Sequence, residues 1–301
     1  MKHFLSINDC TVSELEELLV LSAELKVLDK RRTLPKLLDG KVLAMLFEKT
    51  SLRTRMSFQI AMADLGGLGM YLKPEDIGMM GQREPIKDMA RVFGRYVHGI
   101  MARTFAHQTL IDLAEYAGVP VINALSDWSH PCQAMADMLT IREHVGDLKG
   151  LKLAFIGDGN NVARSLAMAC SKFGMDMTIA SPDGHTLDPE TVSLANEERT
   201  CLTLLADPVE AVQGAHVVYT DTWVSMGQEE ETNARIQDFE GFQVNADLMR
   251  HAPEARIMHC LPAHRGHEIT DEMAESKYSV IFDQAENRLH FQRALLAKLL
   301  A

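Results

Sequence analysis

Between an apolar run ending at Phe47 and a helical pattern through Met56, Ile60 and Leu65 lies Ser51-Leu52-Arg53-Thr54-Arg55, a string suited to binding an anion. A helix starting there offers free backbone N–H groups and the positive end of its dipole, to which Ser51 and Thr54 add hydroxyls. Arg53 and Arg55 can add charge-assisted, bidentate bonds. The same string would also serve as an ordinary N-cap flanked by two solvated arginines. A second cluster, Ser129-His130-Pro131-Cys132-Gln133, enters the apolar stretch Ala134 to Ile141 with a proline preorganised for a first helical turn. His130 could donate to a carbonyl oxygen there, and Gln133 could meet an adjacent amide. A histidine alone is more often structural; its place beside an arginine-rich turn favours function.

The second half carries a different set. Gly157-Asp158-Gly159-Asn160-Asn161 follows an apolar run and looks like the start of a dinucleotide-binding turn, but Val162 stands where the third glycine is required. Asn160 and Asn161 suggest instead a neutral hydrogen-bonding site for an amino-acid carboxylate. Asp221 follows the run ending Tyr219-Thr220, where its carboxylate could hold an ammonium group or merely cap a helix. Cys260 and His259 are candidates for a catalytic pair, yet adjacent residues on a strand point to opposite faces, so no thiol nucleophile is expected. His264 and Arg265 read as loop residues that order their surroundings.

These clusters need a scaffold that delivers them to common edges. Thr11-Val12-Ser13-Glu14 has the form of a capping box before Leu15, Leu18, Leu19, Leu25 and Leu28 at helical spacing, so the chain opens with an amphipathic helix. Buried strands are expected at 42–47, 99–102 and 119–123, then at 151–156, 175–180, 216–220, 256–259 and 279–282. Strands alternating with helices imply an α/β fold of two doubly wound parallel-sheet domains, with ligands outside the carboxyl ends of the strands. The boundary is expected near 143–150. Domains of 1–145 and 146–285 follow, with a last helix over 286–301 packing back on the first.

The 301 residues include 47% hydrophobic ones and no low-complexity tract, which excludes a disordered chain. A net charge of -12 disfavours a nucleic-acid partner but not a small anion met by focused arginines. No window approaches the roughly 18 apolar residues of a membrane span. Met1 to Leu5 runs into polar Asn8 and Asp9 without a signal-peptide core, and the five cysteines lack metal-ligand spacing. A cytoplasmic protein with reduced thiols is the expectation.

Taken together and in order, these motifs resemble the aspartate/ornithine carbamoyltransferase family over essentially the whole chain. Phe47 to Arg55 is similar to its carbamoyl phosphate signature, His130-Pro131-Cys132-Gln133 to its His-Pro-x-Gln motif, and Asp221 with Ser225-Met226-Gly227 to the ornithine loop of one branch. His259-Cys260-Leu261-Pro262-Ala263 is similar to that branch's signature. The resemblance implies a carbamoyl phosphate site formed by Ser51, Leu52, Arg53, Thr54, Gln82, Arg103, His130, Pro131, Cys132, Gln133, Cys260, Leu261 and Arg288. It implies ornithine binding by Asn161, Asp221, Ser225 and Met226, and catalytic roles for Arg103, His130, Cys260 and Arg288. The active site would lie in the cleft between the two domains. Leu52 replaces the usual threonine, leaving only its backbone N–H; the family's inter-subunit glutamine falls at Met79, with Gln82 three residues later. The implied activity is carbamoyl transfer from carbamoyl phosphate to ornithine, giving citrulline in arginine biosynthesis, with no metal or cofactor and with a trimer as the minimum assembly. The rivals are a carbamoyltransferase for putrescine or N-acylated ornithine, a nicotinamide-dependent dehydrogenase, and a non-catalytic sensor.

Overall fold

The computed structural model describes residues 1–78, 80–197, 199–224 and 232–301. Among these residues, two compact units divide the chain: Met1–Leu139 with Glu286–Ala301, and Thr140–Ala285. Each unit is built on one parallel sheet. In the first, β1 (Val42–Phe47), β2 (Leu68–Leu72), β3 (Gly99–Arg103) and β4 (Val121–Leu125) lie in the order β2-β1-β3-β4. In the second, β5 (Lys152–Ile156), β6 (Asp176–Ala180), β7 (Leu202–Leu205), β8 (Val217–Thr220) and β9 (Arg256–His259) lie in the order β7-β6-β5-β8-β9.

Both sheets wind outward from an inner strand. β1 pairs with β2 on one side and β3 on the other, and β5 does the same with β6 and β8. The switch in strand order therefore falls between β1 and β3, and between β5 and β8. Ligands of open parallel sheets bind at such points. The residues just beyond these four strands are Glu48 to Thr54, the segment after Arg103, Gly157 to Asn161, and Asp221.

The four strands at these switch points, β1, β3, β5 and β8, are buried on both faces, as their apolar runs require. In the first unit Ala44, Leu46, Ile100 and Val121 pack with Met89, Leu110 and Leu113. In the second, Ala154, Ile156 and Val218 pack with Phe239, Val244, Leu248 and Ile257. Each large aliphatic side chain fully buried this way contributes about 1.5–3 kcal/mol relative to exposure.

Three features depart from the sequence expectation. β2 and β7, which the sequence reading did not place, lie at sheet edges and are partly exposed, β2 being interrupted by Gly69 and β7 only four residues long. Residues 279–282 are not a strand: Ser279 makes an isolated bridge to Ile257, and Ile281 opens a helix, Ile281–Leu300. That apolar run is the start of the last helix, which begins five residues before the expected 286. The opening helix, Val12–Lys30, has the capping box that its sequence announces, with Glu14 accepting the Thr11 N–H at 2.9 Å.

Candidate active site

In the first unit, the helix Leu52–Asp64 starts at the end of β1 with Ser51 as its N-cap in an extended conformation. The Ser51 hydroxyl accepts the Thr54 N–H at 3.4 Å and donates to Thr54 Oγ1 at 3.1 Å. Arg288, on the helix Ile281–Leu300, donates from Nη2 to the same Thr54 Oγ1 at 2.9 Å. A helix N-terminus, two hydroxyls and a guanidinium thus come together on one spot. Arg53 is half-buried, and its Nε has no hydrogen-bond partner among the described residues. Leu52 is 71% exposed, so only its backbone N–H can serve the site.

Arg55 does not join this group. Its Nε donates to Gln59 at 3.1 Å and its guanidinium lies over the Tyr71 ring at 4.0 Å, so the pair of arginines expected at the helix start reduces to Arg53. Two residues along a helix turn a side chain by about 200°, which separates Arg53 from Arg55. Tyr71 on the edge strand β2 then captures the latter.

Arg103 ends β3 and is buried, as are His130, just before the helix Pro131–His144, and Gln133 in its first turn. The His130 imidazole is pushed well below its ordinary 6.5 by burial first, then by the positive charges of Arg288 and Arg103. It is therefore neutral at physiological pH, a hydrogen-bond donor rather than a cation. Gln133 donates its amide N–H to Asp137 at 2.7 Å, leaving its Oε1 without a hydrogen-bond partner among the described residues. Pro131 opens the helix, and Cys132 is fully buried with its thiol raised to about 12 by burial, partly opposed by Arg288. That thiol packs and does not react. Gln82 is exposed on a segment anchored nearby by Glu48, whose carboxylate accepts the Met80 N–H at 3.2 Å and the Phe105 N–H at 2.8 Å. Met79 lies outside the described residues.

The second unit gathers its own cluster where β5, β8 and β9 end. Asp221, 5% exposed, accepts from Asn160 Nδ2 at 2.9 Å, from the Thr222 N–H at 2.8 Å and from the Cys260 thiol at 2.9 Å. Asn160 also caps the helix Asn161–Phe173 by accepting the Val162 and Ala163 N–H groups. Sequence reasoning named Asn160 and Asn161 together, and the family resemblance singled out Asn161, which is the first helical residue and half-buried; the residue bonded to Asp221 is Asn160. Ser225 and Met226 lie outside the described residues.

His259 and Cys260 are also closer than expected. One ligand atom from each of Asp221, His259 and Cys260 falls within 4.8 Å of the others, because Cys260 has already left the strand that His259 ends. Both ring nitrogens of His259 are engaged, Nδ1 by the Leu261 N–H at 2.9 Å and Nε2 by Glu268 at 3.0 Å. The trio is thus a hydrogen-bonded cluster in which a metal ion would have to displace existing bonds. Leu261 sits at φ 59°. His264 meets Thr222 Oγ1 at 3.0 Å, and Arg265 pairs with Asp271 and Glu275.

The glycine turn serves the chain itself. Gly159 donates its N–H to the His185 carbonyl at 2.7 Å, and a Cβ on it would lie 2.4 Å from the Thr186 carbonyl carbon. The close approach that a dinucleotide turn reserves for pyrophosphate is taken up by residues 185–187.

Comparison with known proteins fits both halves. Residues 2–143 match the aspartate/ornithine carbamoyltransferase carbamoyl-P binding domain, and residues 149–299 match the Asp/Orn binding domain of the same enzymes. The chain is 50% identical over 300 residues to ornithine carbamoyltransferase of Methanocorpusculum labreanum, covering 99% of this chain and 98% of that protein. It is 49% identical over 301 residues to a protein of Pyrococcus furiosus named ornithine carbamoyltransferase, anabolic, covering 98% and 95%. The solved ornithine carbamoyltransferase structure from Pyrococcus furiosus superposes with a TM-score of 0.96 at 48% identity, covering 99% and 97%. The chain belongs to the aspartate/ornithine carbamoyltransferase family.

Proposed function

We propose that this protein transfers the carbamoyl group of carbamoyl phosphate to the side-chain amine of L-ornithine, yielding L-citrulline and phosphate in arginine biosynthesis. The observation that carries the reading is the meeting of Ser51, Arg288 and the helix N-terminus on Thr54, beside a neutral buried His130. That combination suits a phosphate bearing a polarised carbonyl. The acceptor is assigned from the second unit's buried Asp221 and from the relatives' names, with the Pyrococcus furiosus relative supporting the biosynthetic direction.

Carbamoyl phosphate is assigned to residues 1–145 with 286–301, and ornithine to 146–285. Ser51, Arg53, Thr54 and Arg288 hold the phosphate, with the Leu52 N–H and Gln82 as further donors and Pro131 and Cys132 shaping the loop. Arg103 and His130 polarise the carbonyl oxygen, and Gln133 orients the carbamoyl amide. Asp221, Asn161, Ser225 and Met226 bind ornithine's amino-acid end, with Cys260 and Leu261 near its side-chain amine. The neutral amine attacks the carbamoyl carbon, forming a C–N bond and an oxyanion stabilised by Arg103 and His130. Collapse breaks the C–O bond to phosphate, and the amine's surplus proton leaves with it. A free amine of this type has a pKa of about 10.4, so the site must bind its minor, neutral form. No oxidation or reduction occurs, and no metal or cofactor enters the scheme.

A trimer or a multiple of it is the proposed assembly, in the cytoplasm. Leu52, Met56 and Ile60 are exposed at four-residue spacing on one helix, and Leu68 and Met70 are exposed on edge strand β2. An apolar stripe beside a sheet edge favours burial against a second copy. The five cysteines are all in the thiol form, as a reducing compartment allows.

The deciding experiment is an assay of carbamoyl transfer with ornithine, putrescine, N-acetylornithine and aspartate in parallel. Citrulline formation far exceeding the other products is expected. Preference for putrescine or acetylornithine would move the function to another amine, and no turnover with any would favour a sensor.

A further inference from the structure

Three helices of the first unit meet in a partly buried polar lattice outside the transfer chemistry. Arg293, 2% exposed on the helix Ile281–Leu300, donates from Nε to Asp64 Oδ2 at 3.0 Å, and its Nη2 reaches the same oxygen. Its Nη1 donates to Asp29 at 2.7 Å and meets His290 Nδ1 at 3.0 Å. Asp64 ends the helix whose start is the Ser51–Thr54 turn, and Asp29 lies in the last turn of the helix Val12–Lys30. Lys26, from that same opening helix and 8% exposed, donates to Asn287 Oδ1 at 2.8 Å. Asn287 immediately precedes Arg288, whose Nη2 bonds Thr54.

The C-terminal helix is thus tied twice to each of two neighbours. Lys26 and Asp29 hold residues 287 and 293 from one side, while Thr54 and Asp64 hold 288 and 293 from the other. Phe291, Ala294 and Leu295 on the same helix are fully buried, and apolar packing of that kind fixes which face turns inward. It does not fix height, because the hydrophobic effect is non-directional. A slide by one residue's rise, about 1.5 Å along the axis, would keep that face inward yet carry Arg288 away from Thr54. Directional bonds at two heights forbid that slide.

We propose that Arg293, seconded by Lys26, is a positioning residue: it sets the register of the C-terminal helix so that Arg288 reaches Thr54 at the phosphate site. This rests on the reading of Arg288 and Thr54 as phosphate ligands. Ionic groups of this sort often add little stability compared with apolar replacements, and their best-attested use is to specify register.

The test separates register from stability. The double variant Arg293→Met with Asp64→Leu replaces the charged tie by apolar packing, and Lys26→Met removes the other tie while leaving Arg293 in place. Inorganic phosphate binding is titrated calorimetrically on each full-length variant, beside thermal unfolding and the KM values for both substrates. In each folded variant phosphate affinity and the carbamoyl phosphate KM should worsen about tenfold or more, as displacements near 1 Å do, with the ornithine KM unchanged. Wild-type phosphate affinity in a variant with altered Tm would overturn the proposal, reducing the lattice to a stabilising contact. Should the double variant not fold, Lys26→Met decides by the same criterion. Failure of the wild-type protein to carbamoylate ornithine would overturn the proposed function, while the phosphate titration would still test this one.

Discussion

At the scale of single residues, neutrality is what equips His130. Its folded form refuses a proton that the unfolded chain accepts below the ordinary 6.5, so this group lowers stability as pH falls through that value; in the proposed mechanism it stays a donor to the developing oxyanion. His130→Gln should reduce kcat by about 10²-fold, the usual loss for one oxyanion donor, without moving the acidic limb of the pH–rate profile. A limb that disappears in the variant would show that His130 titrates in the working range. Asp221 receives three donors on its two oxygens, and an amide there keeps only one oxygen, so its NH2 would face either Asn160 Nδ2 or the Thr222 N–H and the Cys260 thiol. Asp221→Asn should raise the ornithine KM by about 10²-fold, the scale of a truncated buried charge pair, and leave the carbamoyl phosphate KM near wild type in steady-state kinetics. The residue types here were legible in the sequence, but their directions were less so. Asn160 and Asn161 are chemically identical, and only the bend that makes Asn160 the cap frees its Nδ2 for Asp221.

At the scale of elements, legibility followed burial. Inner strands announced themselves as continuous apolar runs, whereas β2 and β7 are edges with mixed exposure; missing β2 also hid Tyr71, the partner that draws Arg55 away. The last helix was entered late because Val280 and Ile281 are buried, which gives its first turn a strand's composition. Short helices in the second unit depend on their caps. Asp188 heads the helix Pro189–Ala195; burial raises its pKa, but bonds from Arg164 and Thr191 outweigh this and hold it at about 2, against an ordinary 3.8. A lowered carboxylate contributes stability above its unfolded pKa and loses it as pH falls through the folded one. Asp188→Ala should thus destabilise by about 1 kcal/mol at neutral pH, as lost caps do. In urea titrations at several pH values, that deficit should shrink between pH 3.8 and about 2. Gly159→Ala forces a methyl onto backbone at 2.4 Å, where nothing flexible can yield. A loss of about 2 kcal/mol in the same titrations is expected, in the range of overpacked interiors.

For the whole molecule, a charge of -12 says little about the ligand, since Arg53 and Arg103 lie at the carboxyl ends of the inner strands β1 and β3 and Arg288 bonds Thr54 there. The apolar stripe of Leu52, Met56 and Ile60 belongs to this scale. Met56→Glu should shift the mass measured by light scattering from three subunits towards one, and an unchanged mass would place the subunit interface elsewhere. The division of the chain has a further consequence for synthesis. The second unit is one continuous stretch, Thr140–Ala285, while the first is interrupted and resumes at Glu286. A ribosome therefore delivers every residue of the second unit, the first turn of the last helix included, before Arg288 and Arg293 emerge. Until then the turn at Ser51 to Thr54 waits without its guanidinium partner, and a product stalled after residue 285 would present an acceptor half with no finished donor half.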